Sequence, residues 1–321
     1  MSMRKIIYPL LVLLITCLVS CTYHLDLDTV AAKEKLVLYC FPSNSDTTVI
    51  QLSKSIPVGH DGKGDTSLRN AEVHFSVNGK EQEVYWNEDS TSSLPARCYY
   101  TLGKCTKEDI VRIRTSMEGL PSIMAQTSMP GEFPLEAIHL IPSEESEGVL
   151  QVQVTFRDNP DTNDYYGIRL MKKELNKTDG VENTSLEAVE FDLKEEPLLN
   201  KSSDLDEIFI FSNDYSQNLY IWDDEKIQGK EYTLHLAMDY QEDYDSEWSN
   251  NCYKAEYKIY LYTLSAEFFN YLETLNKINK NSLGNHGFSR IIYQFSNVEG
   301  GIGVVGGCQI IETEWLKNTS I

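Results

Sequence analysis

The chain has 321 residues and a net charge of −21, with 28 Lys and Arg against 49 Asp and Glu. A field of that sign repels nucleic-acid phosphate and anionic lipid headgroups, which argues against nucleic-acid binding. The apolar fraction of 41% is slightly low for a globular chain, but 19 Tyr and 11 Phe supply bulk enough for a sizeable core.

At the N-terminus Arg4 and Lys5 precede an almost wholly apolar run, Ile6 to Val19, with small Ser20 before Cys21. A positive start, an apolar stretch too short to span a bilayer and a small-residue exit predict a signal peptide over residues 1–20. Leu18-Val19-Ser20-Cys21 resembles the lipobox of bacterial lipoproteins. That resemblance implies cleavage before Cys21 and acylation of its thiol with chains such as palmitate. Residues 21–35 are polar and read as a tether from lipid to fold. Five more cysteines follow: Cys40, Cys98, Cys105, Cys252 and Cys308. Disulfides are permitted outside the cytoplasm, and an odd count leaves at least one thiol unpaired within the chain. A turn at Gly103 makes Cys98–Cys105 the candidate pair, and the pairing of the others stays open. No Cys-x-x-Cys is present, so neither a thioredoxin-like site nor a zinc ribbon is suggested.

Beyond the tether the pattern is β. Leu36–Phe41 and Thr47–Leu52 are short apolar or β-branched runs. Ala71, Val73, Phe75 and Val77 alternate with polar neighbours, and Asn78-Gly79 is the strongest short hairpin signal, with Gln82–Trp86 as the return strand. With Ile110–Arg114 and Ile123–Ala125 these make about seven short strands at regular spacing, which predicts an immunoglobulin-like β-sandwich over residues 36–140. Pro130–Pro134 and Pro142–Glu145 punctuate the chain there.

A second β domain is expected over residues 141–316. Leu150–Phe156 alternates, Asp158–Asp164 is a turn cluster, and Tyr165–Leu170 resumes as strand. Lys172–Glu187 is polar and reads as a long loop. Strands follow at Glu187–Leu193, Leu219–Trp222 and Tyr232–Met238, then at Tyr253–Leu264, the longest. There the period changes. Ser265 as a cap, Glu267 in the first turn and a stripe of Phe268, Leu272 and Leu275, joined by Phe269, predict one helix near 266–278. The expected fold class is all-β, an immunoglobulin-like sandwich followed by a larger β domain with one packed helix.

Four segments together resemble a known family. They are Asp158-x-Pro160 with an acidic turn and Tyr165-Tyr166; Ala71-x-Val73 before Asn78-Gly79; Leu261-Tyr262-Thr263-Leu264-Ser265-x-Glu267-Phe268-Phe269-x-Tyr271-Leu272; and Asn297-x-x-Gly300-Gly301-x-Gly303-Val304. The set resembles the DUF4249 lipoproteins of Bacteroidetes and spans residues 36–306. The chain departs from the usual pattern in its cysteine content and in the acidic stretch at 239–247. The family has no established activity. The resemblance therefore implies a place and an architecture: a lipid-anchored outer-membrane protein, on the periplasmic or the outer face, whose partner is a TonB-dependent receptor.

Gly301-Ile302-Gly303-Val304-Val305-Gly306 matches the dinucleotide fingerprint, but only 15 residues follow Gly306, too few to complete a βαβ unit. The segment reads as a glycine-rich loop or strand where backbones approach closely, and no nucleotide or other cofactor is expected. Asp239, Glu242, Asp243, Asp245 and Glu247 form an acidic run with Tyr240, Tyr244 and Trp248 interleaved. Dense carboxylates suit hard cations, yet the spacing lacks an EF-hand's glycine and final glutamate. A solvated hairpin loop is the first reading, a loop for a cation or basic partner the second. Asp158, Asp161 and Asp164 likewise read first as turn residues and second as a cation ring. On the long strand Tyr253 and Tyr257 share the apolar face, whereas Tyr260 and Tyr262 lie on the charged face and are the candidate contact surface. The six histidines are scattered, and neither His-Glu-x-x-His nor Gly-x-Ser-x-Gly is present. The function expected is a non-enzymatic accessory or ligand-binding partner of a TonB-dependent receptor. A structural or adhesive, fimbria-like surface lipoprotein is the alternative. A hydrolase assembled from distant Ser, His and Asp is the third.

Overall fold

Short alternating runs become short strands because period-two burial requires it. The computed structural model describes residues 34–56, 66–91, 94–143, 146–178, 180–199, 218–246, 251–280 and 293–317. The expected signal peptide, the lipobox Leu18–Cys21, most of the tether and Glu247 lie outside the described residues. Lys35–Ser55 and Thr66–Ile321 form one compact unit. Its chain order begins β1 (Leu36–Cys40), β2 (Thr47–Lys54), β3 (Glu72–Val77), β4 (Lys80–Gln82), β5 (Val84–Asn87), β6 (Cys98–Leu102), β7 (Ile110–Met117) and β8 (Leu120–Ser128). It continues with β9 (Leu135–Pro142), β10 (Val149–Arg157), β11 (Tyr165–Thr178), β12 (Val181–Ala188), β13 (Tyr220–Asp223), β14 (Glu231–Asp239), β15 (Tyr244–Ser246) and β16 (Asn251–Leu264). Helix α1 (Ala266–Lys280), β17 (Ile302–Val305), β18 (Cys308–Glu312) and β19 (Leu316–Lys317) close it. The fold is all-β with one helix among the described residues.

Two sheets face one another around the first core. One has the order β17-β1-β2-β6-β5, the other β4-β3-β7-β8. Leu36, Leu38 and Ile50 from the first meet Phe75, Ile113 and Ile123 from the second. Asn78 and Gly79 carry φ of 52° and 77°, as a tight hairpin with primed-turn geometry requires. The edge strand of the first sheet comes from far along the chain. β17 pairs in parallel with β1, Leu38 opposite Gly303, and brings Val298 and Val305 into this core. The glycine segment is thus a strand of close approach followed by β18, with no helix behind it. Gly303 sits at φ +120°, and a Cβ there would overlap the carbonyl oxygen of Leu38.

The second core lies between a three-stranded sheet, β14-β10-β9, and a larger one in which β12-β11-β16-β15 is extended by β13, β18 and β19. Leu150, Val152, Val154 and Phe156 on β10 meet Ile168 and Leu170 on β11 and Ile259 and Leu261 on β16. Phe133, Phe156, Tyr166 and Trp222 form an aromatic cluster, the Phe133 and Phe156 centroids 5.2 Å apart.

Helix α1 starts as its sequence predicts. Ser265 Oγ accepts from Phe268 N at 3.3 Å, and Glu267 occupies the first turn. The deeply buried face is Phe269, Leu272 and Asn276, shifted within the expected stripe of Phe268, Leu272 and Leu275 joined by Phe269. The displacement arises because α1 serves two neighbours: Phe268 stacks on Phe41 beside β1 at 4.4 Å, and Phe269 on Tyr165 of β11 at 4.6 Å.

Two expectations about the fold need correction, and one strand was missed. Lys172–Glu187 is not a loop but the greater part of the β11–β12 hairpin, its register running from Met171–Ala188 to Thr178–Val181. It lacks apolar alternation because β12 projects past the core and is wet on both faces, while the ladder to β16 holds β11 in place. β9 was not foreseen, since its single deeply buried side chain, Leu140, leaves almost no periodic signal.

The pair Cys98–Cys105 does not form either, and all five described cysteines are free and buried. Cys98 opens the extended β6, whose five residues span about 13 Å or more. The chain then runs on, with Gly103 N bonded to Asp46 O and Cys105 N to Ser43 O, instead of folding back. A bridge needs Cα atoms within about 7 Å. Burial pushes the Cys105 thiol up to about 11 and that of Cys308 up to about 12, and raises Cys40, which Cys105 also faces. Thiolate is the reactive form. At neutral pH, iodoacetamide should therefore alkylate these three in the denatured chain and spare them in the folded one, as read by mass spectrometry. Full labelling of the folded protein would contradict the packing.

Candidate functional site

The acidic turn after β10 and the turn after β13 are clasped together. Asp158 N donates to Lys230 O at 3.0 Å and Gly229 N to Asp158 Oδ2 at 2.7 Å. Asp164 N donates to Asp224 Oδ2 at 2.6 Å, and Asp224 N to Asp164 O at 3.2 Å. The clasp gathers Asp158, Asp164 and Asp224, one oxygen from each lying within 4.8 Å of the others. Asp158 and Asp224 are buried, and Asp164 is partly exposed. Tyr166, the second tyrosine of the paired Tyr165-Tyr166, donates its hydroxyl to Asp158 Oδ1 at 2.6 Å. Thr162 Oγ1 donates to Asp164 Oδ2 at 2.6 Å.

Burial raises the carboxyls of Asp164 and Asp224 above the ordinary range, and the neighbouring carboxylates add to it. Burial and the Asp158 hydrogen bond push the Tyr166 hydroxyl strongly upward. Beside the cluster opens a cleft of about 650 Å³, lined among others by Lys107, Asp164, Tyr165, Tyr166, Thr263 and Glu267. Three carboxylates this close can share protons or surround a hard cation.

Of the turn residues singled out in the sequence, Asp158 and Asp164 belong to this cluster and Asp161 does not. Asp224 was missed, because nothing local distinguishes it within Trp222-Asp223-Asp224-Glu225 and only the β11–β13 pairing brings it near. Glu196 was missed as well. This buried carboxylate accepts from Leu198 N, Tyr232 Oη and His235 N at 2.8–3.0 Å and ties the segment after β12 to β14.

The acidic run at 239–247 is not gathered. Asp239 ends β14, Asp243 Oδ1 accepts from Ala255 N at 3.0 Å, and Asp245 faces Lys254 at 3.5 Å. Its described members, Asp239, Glu242, Asp243 and Asp245, are spread along strand ends, because pairing of Tyr244–Ser246 with β16 stretches the segment. Nor are Tyr260 and Tyr262 an open platform, since β16 is central here, between β11 and β18. Tyr260 is half-buried with the Lys258 ammonium 5.5 Å from its ring, and Tyr262 packs against the cluster around α1.

The remaining signature residues join the two β regions. Thr127 Oγ1 donates to Glu267 Oε2 at 2.9 Å and contacts Ser265 Oγ at 3.1 Å, while Gly307 N donates to Ser265 Oγ at 3.1 Å. Asn297 Nδ2 donates to Gln126 O and Val305 O, and its Oδ1 accepts from Val305 N. At Gly306 a Cβ would come within 2.6 Å of Phe268 Cβ. These glycines serve packing between strand and helix and leave no room for a dinucleotide phosphate cradle.

No curated protein matches the chain. The family model described as a domain of unknown function, DUF4249, matches residues 22–314, nearly the whole length, and the chain belongs to that family.

Proposed function

We propose that this is a lipid-anchored protein of the outer membrane, of the Bacteroidetes type, which works by binding rather than by catalysis as an accessory to a TonB-dependent receptor. The observation that carries the reading is Leu18-Val19-Ser20-Cys21, set behind a positive start and an apolar run and ahead of a fold whose first strand begins at Leu36. Residues 22–35 reach at most about 50 Å when fully extended, enough to stand the fold off a membrane surface. Each buried methylene of an acyl chain contributes about 0.8 kcal/mol, so attachment through several chains asks nothing of the fold itself. Supporting a contact role, β12 stands at the edge of its sheet among the described residues and exposes Val181 and Leu186. Edge strands with open backbone groups and apolar side chains invite pairing with a partner.

Two measurements test the reading. Cys21→Ala should move the chain from the alkaline-washed membrane pellet to the soluble fraction with its β spectrum intact; retention in the pellet would remove the lipobox. The wild-type chain, purified from detergent-solubilised membranes, should bring a barrel receptor with it. Recovery of a filament polymer instead would favour the adhesive alternative.

A further inference from the structure

We propose that the open half of the outer face of the sheet β17-β1-β2-β6-β5, built on Val49, Tyr85, Tyr100 and Leu102, is a docking surface for a basic amphipathic helix of a partner protein. This rests on the binding role proposed above, but on neither the anchor nor the receptor.

Register defines the surface. Leu38, Ile50 and Tyr99 point into the first core, so Tyr39, Val49 and Tyr100 point away from it. Val49 stands opposite Tyr100, and Tyr100 opposite Tyr85. Leu102 follows Tyr100 on the same face. Val49 and Tyr100 are half-buried, whereas Tyr85 and Leu102 are 38% and 57% exposed among the described residues. The Tyr85 and Tyr100 ring centroids lie 5.4 Å apart, so the two rings make one continuous apolar step. None of the residues that β2, β6 and β5 turn outward is charged, in a chain with 28 Lys and Arg and 49 Asp and Glu. Exposed ground that is apolar, tyrosine-bearing and free of charge has the composition of an interface core.

The same face already receives a helix. Tyr39 and Phe41 meet Tyr271 and Phe268 of α1, with ring centroids 5.9 Å and 4.4 Å apart. Helix α1 therefore covers the β1 end of the face and leaves the β2-β6-β5 end open among the described residues. Strand β6 lies two places from β1 in the sheet, a distance of about 10 Å. Packed helices stand roughly 8–10 Å apart, so the open ground is one helix wide. A second helix laid beside α1 comes down on Val49, Tyr100 and Leu102, with Tyr85 at its far side.

Charge selects the partner. The chain carries a net charge of −21. Carboxylates also rim the strip. Glu83 accepts from the Tyr85 hydroxyl, and Asp46 precedes Thr47, the residue opposite Leu102. Lys104 at this rim is paired with Asp46 at 3.5 Å. Such a field attracts Lys and Arg and repels a second copy of the chain. A helix with apolar residues at i, i+3, i+4 and i+7 and basic flanks suits both the strip and its rim.

The test holds the full chain in phosphatidylcholine nanodiscs, with empty nanodiscs as the blank. The probe is a Leu/Lys peptide of about 18 residues with Leu at that helical spacing, long enough to hold a helix. Its twin has Glu in place of Lys. The Lys peptide should bind with a Kd below about 100 μM and slow amide exchange in the edge strand β5. The twin should bind at least tenfold more weakly. Tyr85→Thr combined with Leu102→Thr should weaken the Lys peptide at least tenfold and keep the melting temperature, since the exposed positions retain β-forming residues. Leu102→Lys alone should do the same by repulsion. Val181→Thr with Leu186→Thr, on β12, should change nothing. Failure of folded wild-type protein to bind the Lys peptide overturns the surface, as does undiminished binding by the Tyr85 and Leu102 variants. Loss of binding in the β12 variant also overturns it, by moving the contact to β12. Equal binding of the Glu twin overturns the basic partner. A wild-type dimer in sedimentation that Leu102→Lys splits into monomers gives the face to a second copy and overturns the assigned occupant.

Discussion

Gly303→Ala should destabilise the protein by more than about 3 kcal/mol, a fall of roughly 6–12 °C in melting temperature for a chain of this size. Two penalties coincide at this position. The backbone lies at φ +120°, where L side chains rarely go, and the added methyl would overlap the Leu38 carbonyl. Leu38 is itself fully buried in the first core, and the parallel ladder runs from Val37–Ile302 to Cys40–Val305. Relief by moving β17 outward would strip Val304 and Val305 from their packing and leave β1 an open edge. Gly79→Ala is the control, because Gly79 also has positive φ, +77°, but meets nothing within 4 Å. It should cost only about 1–2 kcal/mol for the left-handed backbone. Thermal melting of both variants beside wild type separates the terms. Equal losses in the two would mean that β17 does not approach β1 as closely as described.

Glu196→Ala should cost about 3 kcal/mol or more, although Glu196 lies in an irregular segment. The three groups around its carboxylate are all donors: the Leu198 and His235 amides and the Tyr232 hydroxyl. Truncation leaves the buried Leu198 amide and the part-buried Tyr232 hydroxyl and His235 amide unpaired, at about 1–3 kcal/mol for a fully buried orphan and less for the other two. Burial, followed by the Glu196 hydrogen bond, holds the Tyr232 hydroxyl above its usual range. Glu196→Gln should recover part of the loss, since one amide oxygen still accepts while the NH2 faces a donor. Melting temperatures should therefore order as wild type, Gln, Ala. Amide exchange at Leu198 and His235 should accelerate before that of β16. An alanine variant as stable as wild type would show that water replaces the carboxylate there.

Much of the fold is legible in the residue pattern. Apolar or β-branched runs marked β1 and β2, alternation marked β3 and β10, the Asn78-Gly79 pair marked a hairpin, and Ser265 with Glu267 marked the start of α1. These signals are local and strong because each rests on side chains within one turn or one strand. Where the local signal was weak, the reading failed. The β11–β12 hairpin is polar on both faces, and β9 buries one side chain deeply. Such strands form because a neighbouring ladder offers hydrogen bonds, not because of their own pattern.

The candidate site divides the same way. Asp158, Asp164 and Tyr166 stand close together in the chain, and turn chemistry with a following strand made them visible. Asp224 does not, and it joins the two other carboxylates only through pairing of β13 with β11.

The sequence by itself therefore determined the β character, the described helix and the turns, all of which depend on residues near one another. Only the tertiary structure decided which carboxylates meet, which cysteines stay apart, and that residues 302–305 complete the sheet begun at residue 36. Those outcomes depend on long-range pairings, which no periodicity within a segment can encode.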